Sequence, residues 1–303
     1  MRIHKKTISL AKAESRLGVI LMLPVLCILT LVVLYPLLST FVLSFCTKNM
    51  LNPLQGVKFV GFKNFLWIFS SSEFRLVLFN SLVLTFSTVG LQLLLGLIIA
   101  ILLNMPFKGR GIIRSIFALP WAVPTFVAAF VWIWILDGHY GLINIIPMGL
   151  NILKTGIPWL SLPSTALFGT IIAYTWKGMP FVVLTLLAGL QLIPREIQEA
   201  ARVDGASKWQ EFIHITLPSL RFIIIITVLL RTIWTFNWFD FMYLLTGGGP
   251  AKSTLIFPIQ VYDIAFSSYR WGRASAVGVV MFIIIIPFAL LFFRLLSKEG
   301  VLE

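Results

Sequence analysis

The sequence predicts an all-α protein that crosses a membrane six times, and three observations carry that prediction. Of its 303 residues, 59% are hydrophobic and only 12% are charged, too little polar surface to cover a soluble domain of this length. The apolar residues gather into six runs, near 17–46, 76–104, 112–136, 165–190, 219–245 and 274–296. Each supplies the about 20 helical residues that a hydrocarbon core requires. The runs do not alternate in polarity and outlast barrel strands, and a backbone facing lipid must satisfy its own hydrogen bonds, so helices remain. The chain then divides into an N-terminal segment 1–16, a six-helix body 17–296 and a tail 297–303, with no separate soluble domain.

The start has a basic head and an apolar body, as a secretory leader does. Its apolar stretch is too long and no small-residue cleavage site follows, so 17–46 reads as an uncleaved first span. Cys27 and Cys46 both fall there, about 28 Å apart if the helix is continuous, so they cannot pair with each other. The net charge of +13 reads as topological, because cytoplasmic loops retain Lys and Arg; nucleic acid is not an expected partner. With the N-terminus inside, the inner segments hold the larger basic set: Arg2, Lys5, Lys6, Lys12 and Arg16; Lys108, Arg110 and Arg114; Arg195, Arg202, Lys208 and Arg221; Arg294 and Lys298. Both termini and the segment 194–218 are thereby placed in the cytoplasm.

Between the spans lie three outer segments, 47–75, 137–164 and 246–273. The first contains VGFKNF (Val60 to Phe65). The second carries Gly138, Gly141 and Asn144, then Pro158, Trp159 and Pro163. The third opens on Thr246-Gly247-Gly248-Gly249-Pro250, a turn-rich end to the fifth run.

The inner segment 194–218 is the polar exception, and it reads as two short helices. Pro194 suits a first turn, where its missing N–H would be unpaired. Ile197, Ala200 and Ala201 share a face, and Asp204-Gly205 stops the helix. Ser207 with Gln210 makes a capping box for the second helix, and Pro218 marks the handover to the fifth run.

This block resembles the EAA loop of ATP-binding-cassette (ABC) importer permeases, through Glu199-Ala200-Ala201, Asp204-Gly205-Ala206 and the closing Ile215, Leu217 and Pro218. From about Val60 to Leu296 the chain is similar to the carbohydrate branch of that family, the maltose and glycerol-phosphate type. The matching pieces are ALPWAVP (Ala118 to Pro124), Trp176 with Pro180, AGLQLIP (Ala188 to Pro194), FNWFD (Phe236 to Asp240), LTGGGP (Leu245 to Pro250) and YDIAF (Tyr262 to Phe266). The resemblance implies a type I ABC importer permease fold in a bacterial inner membrane. It implies a second homologous permease, two ABC ATPase subunits that bind the ATP and magnesium, and an external solute-binding protein. Glu199, Ala200, Ala201, Asp204 and Gly205 would couple to the ATPase, with Glu199 as docking contact and Gly205 as hinge. An ungapped match carries the family's solute contacts onto Trp121, Thr125, Tyr174, Lys177, Gly178, Phe181, Arg231 and Thr235. The extra N-terminal helices and large external domain of the maltose permease have no counterpart here, so maltose is not implied.

No cofactor, metal or catalytic set is expected in this chain. It has no G-x-x-x-x-G-K-[ST] loop for ATP and no G-x-S-x-G elbow, and His4, His139 and His214 are scattered. The telling polar residues are those within spans, since a lone cation at mid-bilayer costs at least about 2.5–3.5 kcal/mol. Lys177 and Arg231 could pair with Asp240 or a second subunit, or contact the solute, which would then be an anionic or strongly hydroxylated sugar. Trp132, Trp134, Trp176, Trp234 and Trp238 add aromatic surface suited to sugar rings or to the membrane interface. An ion-driven secondary transporter is the rival reading, and it is disfavoured because Asp240 is the single intramembrane carboxylate candidate. An amino-acid or peptide ABC permease is a second rival, disfavoured by the sugar-branch motifs. A membrane enzyme is the third.

Overall fold

The computed structural model describes residues 3–51, 54 and 56–298. Arg2, residues 299–303 of the tail, and the side chains of Lys5, Lys6, Lys12, Arg16 and Lys298 lie outside the described set. The chain is helical and falls into two compact units, Met1–Ile68 with Ile264–Val279, and Phe69–Asp263 with Val280–Glu303.

In the first unit α1 (Ile3–Leu29) passes through a π turn, Thr30–Leu34, into α2 (Tyr35–Ser44). The widened turn has a cause in the sequence. Pro36 has no N–H to donate, and its ring would strike the carbonyl one turn back, so the helix loosens there instead of breaking. The span therefore ends at Ser44, where β1 (Cys46–Thr47) pairs antiparallel with β2 (Lys58–Phe59). Asn64 of the VGFKNF motif lies buried on α3 (Lys63–Ser70). Its Nδ2 donates to the Ser44 and Cys46 carbonyls at 2.9 Å each. The motif is thus a cap on the C-terminal end of the first span. The Arg273 guanidinium, at the start of α14 (Trp271–Lys298), lies 4.4 Å over the Trp67 ring.

The second unit is built on α4 (Ser72–Asn104), α8 (Ala166–Gln191) and α11 (Leu217–Asn237). Ser71 caps α4 by accepting from the Glu73 amide. Ala100, Leu103, Val182, Val183, Leu186, Leu190 and Leu220 make the buried seam between these helices. Small residues bring the backbones close, as expected where lipid competes for every apolar contact: a Cβ on Gly96 would meet Val182, and one on Gly189 would meet Ile223 and Leu220. Arg114 closes the C-terminal end of α4 by donating to the Leu103 carbonyl at 3.0 Å.

Among the described residues, five helices are long and apolar enough to span a membrane, or six if a bent pair counts as one span. The expected run 112–136 is corrected in one respect, since it is broken: α5 (Arg110–Ala122) and α6 (Thr125–Ile135) meet at 100°. Val123 and Pro124 are extended at the break, because a residue before proline avoids the helical region and Pro124 has no amide to offer. The fifth span is also corrected. It does not run to 245 but stops at Asn237, turns at Trp238, and continues as α12 (Phe239–Leu245).

The segments 137–164 and 246–263 of this unit are braced. Within α7 (Leu142–Gly149), the fully buried Asn144 side chain donates to the Asp137 and Ile157 carbonyls and accepts from the Ile157 amide and Trp159 Nε1. The Tyr140 and His139 amides bond the Asp137 carboxylate and hold its pKa below the ordinary value. The glycine bend after α12 is held by Thr246 and Thr254, whose hydroxyls lie 2.7 Å apart. Asn80 of α4 donates to the Leu255 carbonyl, just before α13 (Phe257–Tyr262), and Lys252 pairs with Glu73.

Candidate functional site

Two sites were expected, and the polar inner loop is the simpler. The structure forms α9 (Arg195–Val203), whose end is a Schellman stop: the Ala206 amide donates to the Ala201 carbonyl at 2.9 Å and the Gly205 amide to Arg202 at 3.1 Å. Gly205 sits at φ +85°, a backbone region that costs a side-chain-bearing residue. Ser207 and Gln210 complete the capping box of α10 (Lys208–Glu211). Pro218 is no boundary, however. α10 runs through a second π turn, Phe212–Thr216, straight into α11, so that Lys208–Asn237 is one helix. The device is the one seen before Pro36, and it joins the loop's second helix rigidly to the fifth span.

All of α9 is at least partly exposed, including Glu199, Ala200 and Ala201, and Asp204 and Gly205 follow it at the surface. Apolar side chains are exposed beside them: Ile197, Val203 at 87% and Trp209 at 67%. An uncovered apolar face of this kind stands out on a polar loop. One element escaped the sequence reading. Arg202 of α9 grips Glu211 of α10 with two hydrogen bonds of 2.9 Å, and the pairing pushes the guanidinium pKa further up. Opposite charges nine residues apart across a glycine stop follow no helical spacing rule, so no local signal announces them. Arg202 is 59% exposed, so the pair adds little to stability; it ties α9 to α10 across the glycine stop. Arg202→Met is expected to leave the amount of chain in the membrane unchanged while making the turn at 204–207 more susceptible to limited proteolysis. The swap Arg202→Glu with Glu211→Arg should recover part of the protection.

The second site lies within the spans. Tyr174, Lys177, Gly178 and Phe181 share a face of α8 by their three-to-four-residue spacing, and Arg231 and Thr235 share one on α11. Trp121 lies in the last turn of α5 and half-buried Thr125 opens α6. Lys177, 6% exposed, donates from Nζ to the Pro120 carbonyl at 2.7 Å and to that of Val123. Arg231, 5% exposed, donates from Nε to Gln92 Oε1 at 2.8 Å and from Nη2 to Thr235 Oγ1 at 3.3 Å. Both cations thus take neutral acceptors, and Asp240 stands exposed in the first turn of α12. This arrangement differs from the ion pair held open by the sequence.

Gln92 is the residue that sequence reading passed over. It is fully buried, and its Nε2 donates to the Tyr174 and Thr175 carbonyls at 2.9 and 3.3 Å. One amide thereby ties α4, α8 and α11 together. Gly178 makes room for it, since a Cβ there would collide with the Arg231 guanidinium and the Gln92 amide. A lone amide inside Val-Gly-Leu-Gln-Leu-Leu-Leu was the available signal, because a polar group in lipid needs a partner.

Tyr174 and Thr235 have no exposed surface; the Tyr174 hydroxyl donates to the Trp238 carbonyl at 2.9 Å. The exposed part of the expected set is aromatic. Trp121, 62% exposed, meets Phe181 with ring centroids 6.5 Å apart, and Phe181 meets the exposed Trp234 at 4.9 Å. Three helices therefore contribute to one aromatic face, with Lys177 and Arg231 as buried fasteners. Among the described residues no group of His, Cys, Asp or Glu is arranged to hold a metal ion.

Residues 92–298 match the family described as binding-protein-dependent transport system inner membrane component. The chain is 37% identical over 292 residues to the trehalose/maltose transport system permease protein MalF of Thermococcus litoralis, covering 95% of this chain and 96% of that one. It is 34% identical to the sulfoquinovosyl glycerol transport system permease protein SmoG of Agrobacterium fabrum, covering 94% and 92%. Among solved structures it resembles a bacterial ABC transporter involved in import of the acidic polysaccharide alginate, with TM-score 0.78, 22% identity and coverage of 94% and 99%.

Proposed function

This chain belongs to the family of binding-protein-dependent transport system inner membrane components, a multi-pass membrane family, and from that premise we propose that it forms half of the import pathway for a carbohydrate. The solutes in the names of its relatives, trehalose/maltose and sulfoquinovosyl glycerol, support a sugar, oligosaccharide or polyol over an amino acid or peptide. The observation that carries the reading is the aromatic face of Trp121, Phe181 and Trp234, because indole and phenyl rings stack on the apolar faces of sugar rings. The second half of the pathway is a homologous permease chain. An external binding protein delivers the solute to the segments 47–75, 137–164 and 246–273.

The inner loop is the coupling element of this proposal. With both termini in the cytoplasm and the chain in the plasma membrane, α9 and α10 face two ATPase subunits, which bind and hydrolyse the ATP with magnesium. Glu199 and the exposed Ile197, Val203 and Trp209 dock there. Because α10 continues into α11, a displacement of the docked loop is passed to the Arg231 fastener without a flexible joint, which is the lever that alternating access requires.

Co-purification tests the reading. The tagged chain, extracted gently from its own membrane, is expected to bring an ATPase and a second permease with it. Glu199→Lys should lose the ATPase and keep the permease. A chain that emerges alone or as a homo-oligomer would sink the proposal and return ion-driven transport to consideration.

A further inference from the structure

The break between α5 and α6 leaves two carbonyls without helical partners. Pro120 O should accept from residue 124, but Pro124 has no N–H. Val123 is extended, at ψ 127°, so its carbonyl leaves the helix direction. Unpaired carbonyls within a membrane each need a donor, and the Lys177 ammonium, arriving from α8, donates to both. A cation at the C-terminal end of α5 also meets the negative end of that helix's dipole. Trp121 lies directly after the first of these carbonyls, and its ring opens the aromatic face toward Phe181.

We propose that Lys177 is a positioning residue, which fixes the break in the third span and thereby the angle at which Trp121 is presented to the solute. Its charge is spent on the protein's own carbonyls and does not read a solute charge. The inference rests on the reading above, in which the aromatic face binds a carbohydrate, and it alters the solute class by removing any need for an anion.

The test has a structural arm and a transport arm. In native membrane vesicles, a chain with Cys27→Ser, Cys46→Ser and Trp121→Cys is labelled with a neutral maleimide. Adding Lys177→Met is expected to change the labelling rate at position 121 by about tenfold, the scale of losing one donor to buried acceptors, and Lys177→Arg to change it far less. A cysteine placed at Trp209 should label alike in all three. An unchanged rate at 121 with Lys177→Met overturns the proposal, whatever the solute proves to be.

In the transport arm, vesicles with Trp121 intact are offered trehalose and a uronic-acid disaccharide. Lys177→Met should raise KM more than it lowers maximal uptake for whichever of the two the parent carries. Loss confined to the acidic sugar would make Lys177 a charge reader and overturn the proposal. If the parent carries neither sugar, the carbohydrate reading is in question while the labelling arm still decides the role of Lys177. Should Lys177→Met assemble poorly, adding Pro124→Ala restores a backbone amide for Pro120 O and is expected to recover assembled complex. A double variant no better than the single one counts against the positioning role.

Discussion

Replacing Gln92 by leucine is expected to cost more than replacing both Gln92 and Arg231. Alone, Gln92→Leu leaves a buried guanidinium without its Nε acceptor and strips the Tyr174 and Thr175 carbonyls of a donor. Breaking one side of a buried charged contact costs about 3–5 kcal/mol. The double variant Gln92→Leu with Arg231→Met removes the stranded charge as well and puts apolar groups in the space beside Gly178. Removing both partners of a buried contact is far closer to neutral than removing one. Thermal unfolding of the purified chain in detergent should rank the parent first, the double variant second and Gln92→Leu last. Equal damage in the single and double variants would mean that Gln92 and Arg231 are not energetically coupled. Uptake should be lost in both variants, because each loosens the junction of α4, α8 and α11. Gly178→Leu should resemble Gln92→Leu, since it evicts the same pair.

The second large effect is expected at Gly205. A β-branched residue at φ +85° is strained by about 1–3 kcal/mol, although a Cβ there would touch nothing within 4 Å. Relief requires the Schellman stop to open, which turns α9 relative to α10. Gly205→Val is therefore expected to abolish uptake while the chain still inserts and the ATPase still hydrolyses. Gly205→Asn is the discriminating control, because asparagine enters the left-handed region readily and should keep most of the uptake. If both variants transported normally, the angle set at this turn would be irrelevant to coupling. If both failed alike, side-chain bulk in the docked interface would be the cause, not the backbone.

Composition and apolar runs determined the membrane class, the helical fold and which stretches make the spans, because lipid leaves a backbone few choices; the fifth was displaced, expected over 219–245 and found at Lys208–Asn237. The inner loop was equally legible. Its proline start, glycine stop and capping box are local devices whose partners lie within a turn, and the structure has each of them where the residues put it. What failed was any feature whose cause is distant. Two prolines inside one apolar run could have kinked a helix slightly; that they bend it by 100° depends on Lys177, 54 residues from Val123 in sequence, arriving to hold the freed carbonyls. Pro218 read as a boundary because a proline usually ends a helix, but a π turn absorbs it. The partners of Arg231 were sought among acids, whereas the acceptor is an amide 139 residues away. A sequence states which buried groups need a partner, and only the tertiary structure decides which partner, since that choice is made by helices meeting in space.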